Sequence, residues 1–156
     1  VGFMALIVYD LKWFLLPNRI VYPLSFIAGL LACVEAASAV HPGQAVLQTV
    51  LAVAVGGGIF YALFQVSQGK WIGGGDVKLG WLLGLVVGTP SRSLLFIFLA
   101  ALGGSIISLP LLLTGRLKRS AVIPFGPFLI IAVIVVKLFG ADILDWYQTS
   151  LLMGGY

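Results

Sequence analysis

Six apolar runs, separated by short polar breaks and almost free of charge, leave this chain few folds to choose from. They are Val1–Leu16, Ile20–Ala37, Ala45–Val66, Val77 to about Gly88, Leu94–Leu113 and Phe125–Phe139. A membrane-spanning helix needs roughly 20 residues, and the second, third and fifth runs supply that length. Charged residues make up 9% of the chain, against about 25% in an average soluble domain. A soluble globule of this size has no interior large enough for so much apolar surface, so the solvent must be lipid. In lipid the backbone has to satisfy its own hydrogen bonds, and the strand-like alternation of a barrel is absent. The expectation is an all-α polytopic bundle of about six transmembrane helices, forming a single membrane-embedded domain over residues 1–156. The sequence starts at Val1 rather than Met, which leaves room for a longer N-terminus, and no cleavable signal peptide is recognisable.

The net charge of +4 reads as topology rather than as a nucleic-acid surface, because the basic residues stand at the ends of apolar runs. The first break holds Lys12 and Arg19, the third Lys70 and Lys78, and the fifth Arg116, Lys118 and Arg119. Arg92 and Lys137 are the exceptions, so seven of nine basic residues fall on one side of an alternating six-span arrangement. The positive-inside rule makes that side cytoplasmic, in a plasma (inner) membrane. Lipid is one expected partner and nucleic acid is not.

Charge also singles out the candidate chemistry. An ionisable side chain inside a span is costly and is commonly functional. Asp10 lies within the first apolar run, and Asp76 opens the fourth. Two spans separate them, so parity returns both to the cytoplasmic side. Two carboxylates close together in a dry site cannot both ionise easily, so one keeps its proton. Such a pair can activate water and protonate a leaving amine, which is amide hydrolysis without a metal. The competing reading makes each aspartate a helix cap or an interface charge, and the GGGD stretch before Val77 suits a cap. An ion or proton site of a small transporter or channel is a further reading, although no inverted repeat is visible. Lys12 and Lys78 each follow an aspartate by two residues, a spacing that does not face it on a helix, so both read as interface anchors. Gly73, Gly74 and Gly75 suit a loop passing close to a substrate. Gly56, Gly57 and Gly58 suit close helix packing. The single Cys33 and the isolated His41 offer neither a disulfide nor a metal site, and no cofactor is expected.

These residues resemble the motifs of the type IV prepilin peptidase family, membrane aspartyl proteases of the GxGD type. The stretch DLKWFLLPNRIVYPL, from Asp10 to Leu24, is similar to the family's first block and includes Pro17 and Asn18. GGGDVKL, from Gly73 to Leu79, matches the Gly-x-Gly-Asp block, with Lys78 after the aspartate. IPFGPFL, from Ile123 to Leu129, matches a third block with Pro124, Phe125, Gly126 and Pro127. The three blocks stand in the family's order. The resemblance implies that Asp10 and Asp76 are the catalytic pair, with Pro17, Asn18, Gly73, Gly74, Gly75, Lys78 and the PFGP element shaping the site. It also implies a prepilin or pilin-like substrate, in pilus assembly or protein secretion, cut on the cytoplasmic side after a basic leader. Many members add a cytoplasmic region with paired cysteines and a methyltransferase activity, neither of which this stretch with one cysteine supports. Presenilin-like and signal-peptide-peptidase-like proteases rank second, since they share Tyr-Asp and Gly-x-Gly-Asp but have a Pro-Ala-Leu element where this chain has PFGP.

Overall fold

The computed structural model describes residues 2–13, 16–114 and 124–153. They form six helices: α1 (Gly2–Trp13), α2 (Asn18–Ala37), α3 (Pro42–Ser67), α4 (Gly74–Val87), α5 (Pro90–Leu113) and α6 (Gly126–Met153). No strand occurs among the described residues. Stretches within α2, α3, α5 and α6 are long and apolar enough to cross a membrane. The other two helices are short: α4, with 14 residues, spans about 21 Å at ~1.5 Å per residue, against a hydrocarbon core of about 30 Å. The outer surface is apolar, with Phe26, Val34, Phe98 and Ile106 all exposed, while an ionisable group, Asp10, is buried. That inversion suits a multi-span bundle whose exterior meets lipid.

The helix limits differ from the apolar runs in an instructive way. Helix α4 starts three residues before Val77, so Gly74, Gly75 and Asp76 form its first turn rather than a loop. Helix α5 starts at Pro90, where proline's missing N–H costs nothing at a helix start. Helix α6 runs on past Phe139, so Asp142 and Asp145 belong to it and not to a tail. Ile143 and Leu144 explain the extension: they are half-buried and line a cleft of about 530 Å³ with Ser91, Leu94, Leu95 and Phe98 of α5. Hydropathy ends a span at its first polar residues, whereas a helix continues while one face is still covered. The break from Gly115 to Val122 lies outside the described residues.

Helix α4 is the centre of the bundle, packed against α2, α3, α5 and α6. Its contact with α3 is glycine on glycine. A Cβ on Gly56 would come within 2.8 Å of the Gly80 carbonyl oxygen, and one on Gly84 within 2.8 Å of Ala52 O. Gly80-x-x-x-Gly84 is thus a small-residue face of the kind that lets membrane helices approach closely. Of the three glycines singled out in α3, Gly56 meets α4 backbone and Gly57 lies under the Trp81 ring, but Gly58 faces open space. Ser93 reinforces the same region: it is fully buried and its Oγ donates to Ala52 O at 2.9 Å, tying α5 to α3.

Candidate active site

Helix α1 buries one stripe, Leu6 and then Asp10 a turn later. An apolar side chain and a carboxylate therefore occupy successive places on one buried face. Asp10 retains only 6% of its accessible surface. Its partner comes from the far end of the sequence, where the Gly126 N–H donates to Asp10 Oδ2 at 3.0 Å. Gly126 is the first residue of α6, so this N–H is one that no earlier carbonyl in the helix can accept. The carboxylate supplies the missing acceptor, and the helix start is a favourable place for negative charge. Glycine is required here by contact. A Cβ at position 126 would stand 2.5 Å from Asp10 Oδ2, 3.2 Å from Cγ and 3.5 Å from Leu79 Cδ2.

Asp76 occupies the third position of α4, behind an extended Gly73 that precedes the helix. Its N–H donates to Gly73 O at 3.1 Å, and its Oδ2 folds back to 3.9 Å from where a Gly73 Cβ would stand. This is the place of the acidic member of a capping box, so Asp76 is not the residue that precedes the helix. Asp76 is half-buried, and the glycines before it line the same cavity as Tyr9, the residue before Asp10. The two aspartates, distant in sequence, therefore stand at the same end of the bundle, Asp10 against the start of α6 and Asp76 in the first turn of α4.

Six of the site-shaping residues named from the sequence, Pro17, Asn18, Gly73, Gly74, Gly75 and Lys78, line one cavity. A cavity of about 820 Å³ lies between the α1 and α4 ends, lined by Tyr9, Trp13, Leu16, Pro17, Asn18, Gly73, Gly74, Gly75 and Lys78. Tyr9 and Trp13 form one wall, their ring centroids 4.9 Å apart. Gly73, Gly74 and Gly75 line it as well. Lys78 is no simple interface anchor, because its Nζ donates to Asn18 Oδ1 at 2.9 Å. Of the PFGP element, Gly126 and Pro127 are buried and Pro124 and Phe125 half-buried. Phe125 meets Phe60 of α3 edge-on, with centroids 6.0 Å apart. Lys12 lies over the Trp13 ring instead of near an acid.

Sequence reasoning missed one ionisable residue with a definite task. Lys137, on α6, donates from Nζ to Val86 O at 2.9 Å. The carbonyls at the C-terminal end of a helix lack intrahelical donors, and a cation there also suits the helix dipole. Helix α4 is thus served at both ends, by Asp76 in its first turn and by Lys137 near its last. Only the position of Lys137 within an apolar run hinted at this.

Fold and site together define an all-helical membrane bundle with two aspartates at one end, next to an open cavity. The chain belongs to the type IV leader peptidase family, whose sequence profile matches residues 1–109. It is 31% identical over 141 residues to a prepilin leader peptidase/N-methyltransferase of Bacillus subtilis (strain 168), covering 90% of this chain and 53% of that protein. The protein of the same name from Aeromonas hydrophila is 32% identical over 149 residues, 96% of this chain and 50% of that protein. The chain spans about half the length of these curated relatives. No solved structure matches.

Proposed function

We propose that this chain is the peptidase part of a prepilin leader peptidase, a membrane aspartyl endopeptidase with Asp10 and Asp76 as its catalytic pair. It removes the leader of type IV prepilins or pilin-like proteins at the cytoplasmic face of the inner membrane. The observation that carries the reading is that both carboxylates stand at the same end of the bundle, Asp10 held by the Gly126 N–H and Asp76 in the first turn of α4, next to a cavity lined by their sequence neighbours Tyr9 and Gly75. One carboxylate, as base, takes a proton from the attacking water, and the other, as acid, gives one to the leaving amine. The fixed N–H of Gly126 orients the Asp10 carboxylate, and in this reading the substrate peptide binds in the cavity of about 820 Å³ lined by Tyr9, Trp13 and the three glycines. The relatives' name supports the substrate, and the basic character of Lys12, Arg19, Lys70 and Lys78 supports the cytoplasmic side.

The test separates catalysis from helix capping. Asparagine keeps an oxygen to accept the Gly126 N–H but cannot exchange a proton as a carboxylate does. Asp10→Asn and Asp76→Asn are each expected to stop prepilin cleavage in membranes while leaving the protein inserted and folded. The double variant should be no worse than either single, because residues acting as one unit are non-additive. Substantial cleavage by either single variant would remove the aspartyl assignment and favour an ion-binding role for the pair.

A further inference from the structure

The two aspartates sit on helices whose backbones do not approach each other closely among the described residues. Among the described residues α1 lies against α6 and α2, and its backbone does not run alongside α4. The spacing of the carboxylates must therefore be set by other parts of the chain. One bridge is Gly126, which joins Asp10 to the α6 start. The second is formed by Leu16 and Asn18, just before and at the start of α2. There Leu16 packs on the first turn of α4, 3.2 Å from where a Cβ on Gly75 would stand. Two residues further on, Asn18 accepts the hydrogen bond from Lys78. The same ammonium lies 5.8 Å from the centre of the Tyr22 ring on α2, within cation–π range. Lys78 stands two positions beyond Asp76, a spacing that turns its side chain away from that carboxylate.

From this we infer that Lys78 and Asn18 form a positioning latch: their hydrogen bond, with Leu16 seated on Gly75, fixes the Asp10 helix at working distance from the Asp76 helix. Neither residue touches the reacting atoms. The latch acts by holding geometry, and a displacement of about 1 Å in a reacting group can lower a rate by about a hundredfold. The inference rests on the protease reading for its effect on turnover. The distance it sets between helices is measurable without that reading.

The experiment uses the full-length protein in membranes with a prepilin substrate, and four variants. Lys78→Met removes the donor and keeps the stem. Asn18→Leu removes the acceptor at similar volume. The third variant combines both. Asn18→Asp keeps an acceptor and strengthens it by charge. Each single loss is expected to lower kcat at least about tenfold with KM within about twofold. The combination should be no worse than the poorer single, and Asn18→Asp should restore most of kcat. Spin labels at Leu11→Cys and Lys70→Cys, with Cys33→Ser, report the separation of the two ends by pulsed electron resonance. That distribution should broaden or shift in Lys78→Met and stay narrow in Asn18→Asp. Any of four results overturns the latch: unchanged kcat in a single variant, a rise in KM alone, multiplying losses in the combination, or an unchanged distance distribution in Lys78→Met. If the unaltered protein does not cleave prepilin, the protease reading fails, and the distance measurement still decides the latch.

Discussion

Replacing Gly126 with alanine puts the sharpest demand on the site geometry. The added methyl carbon would lie 2.5 Å from Asp10 Oδ2 and 3.2 Å from its Cγ, so carboxylate and α6 must move apart by about 1 Å to reach ordinary van der Waals contact. The 3.0 Å hydrogen bond stretches out of range. A hydrogen bond to a charged group contributes about 1.5–3 kcal/mol, and overpacking adds to that loss of stability. The loss of rate comes from misplacement, about a hundredfold for 1 Å, or roughly 2.7 kcal/mol of activation free energy. Backbone strain adds nothing, because Gly126 is not among the positive-φ glycines. The assay is single-turnover cleavage of a prepilin by equal amounts of membrane-inserted enzyme, alongside thermal unfolding in detergent. Gly103→Ala serves as the control, since its methyl would meet only Phe128 Cδ1 at 3.6 Å. The expected result is a roughly hundredfold loss of rate for Gly126→Ala with a folded protein, and near-normal cleavage for Gly103→Ala. Gly126→Ala keeping more than about half its rate would refute the argument, and so would a loss traced wholly to unfolding.

Three further outcomes are expected. Gly80→Ala should destabilise the bundle by about 1–3 kcal/mol through overpacking, because its methyl would lie 2.5 Å from Gly56 O; Gly58→Ala, facing open space, should be neutral or stabilising, and unfolding midpoints in detergent compare the two. Lys137→Met should lower the unfolding midpoint by freeing the Val86 carbonyl, whereas Lys137→Arg should retain most of it. A cysteine introduced at Lys70 should react with an impermeant thiol reagent only after cell lysis, while one at His41 should react in intact cells; the reverse pattern would invert the orientation and move the site to the other face.

The sequence alone determined that the chain is a helical membrane bundle, because long apolar runs with few charges can satisfy their backbone in lipid only as helices. It also singled out Asp10 and Asp76, since a carboxylate in an apolar run is conspicuous wherever the chain folds. Parity of spans placed them on one side, and in the structure both stand at the same end of the bundle. Tertiary structure decided what no local pattern encodes. The contact of Gly126 with Asp10 joins residues at opposite ends of the chain, and glycine is needed there only because the carboxylate arrives. Likewise Gly80 and Gly84 read as unremarkable helix residues until Gly56 and Ala52 lie against them. Lys78 looked like an interface anchor because hydropathy records depth along a helix and not direction around it. Lys137 drew no attention because the carbonyl it serves belongs to another helix. Apolar periodicity reports solvent, which acts on every residue by itself; hydrogen bonds and close approaches between helices belong to pairs, and only the packed bundle defines the pairs.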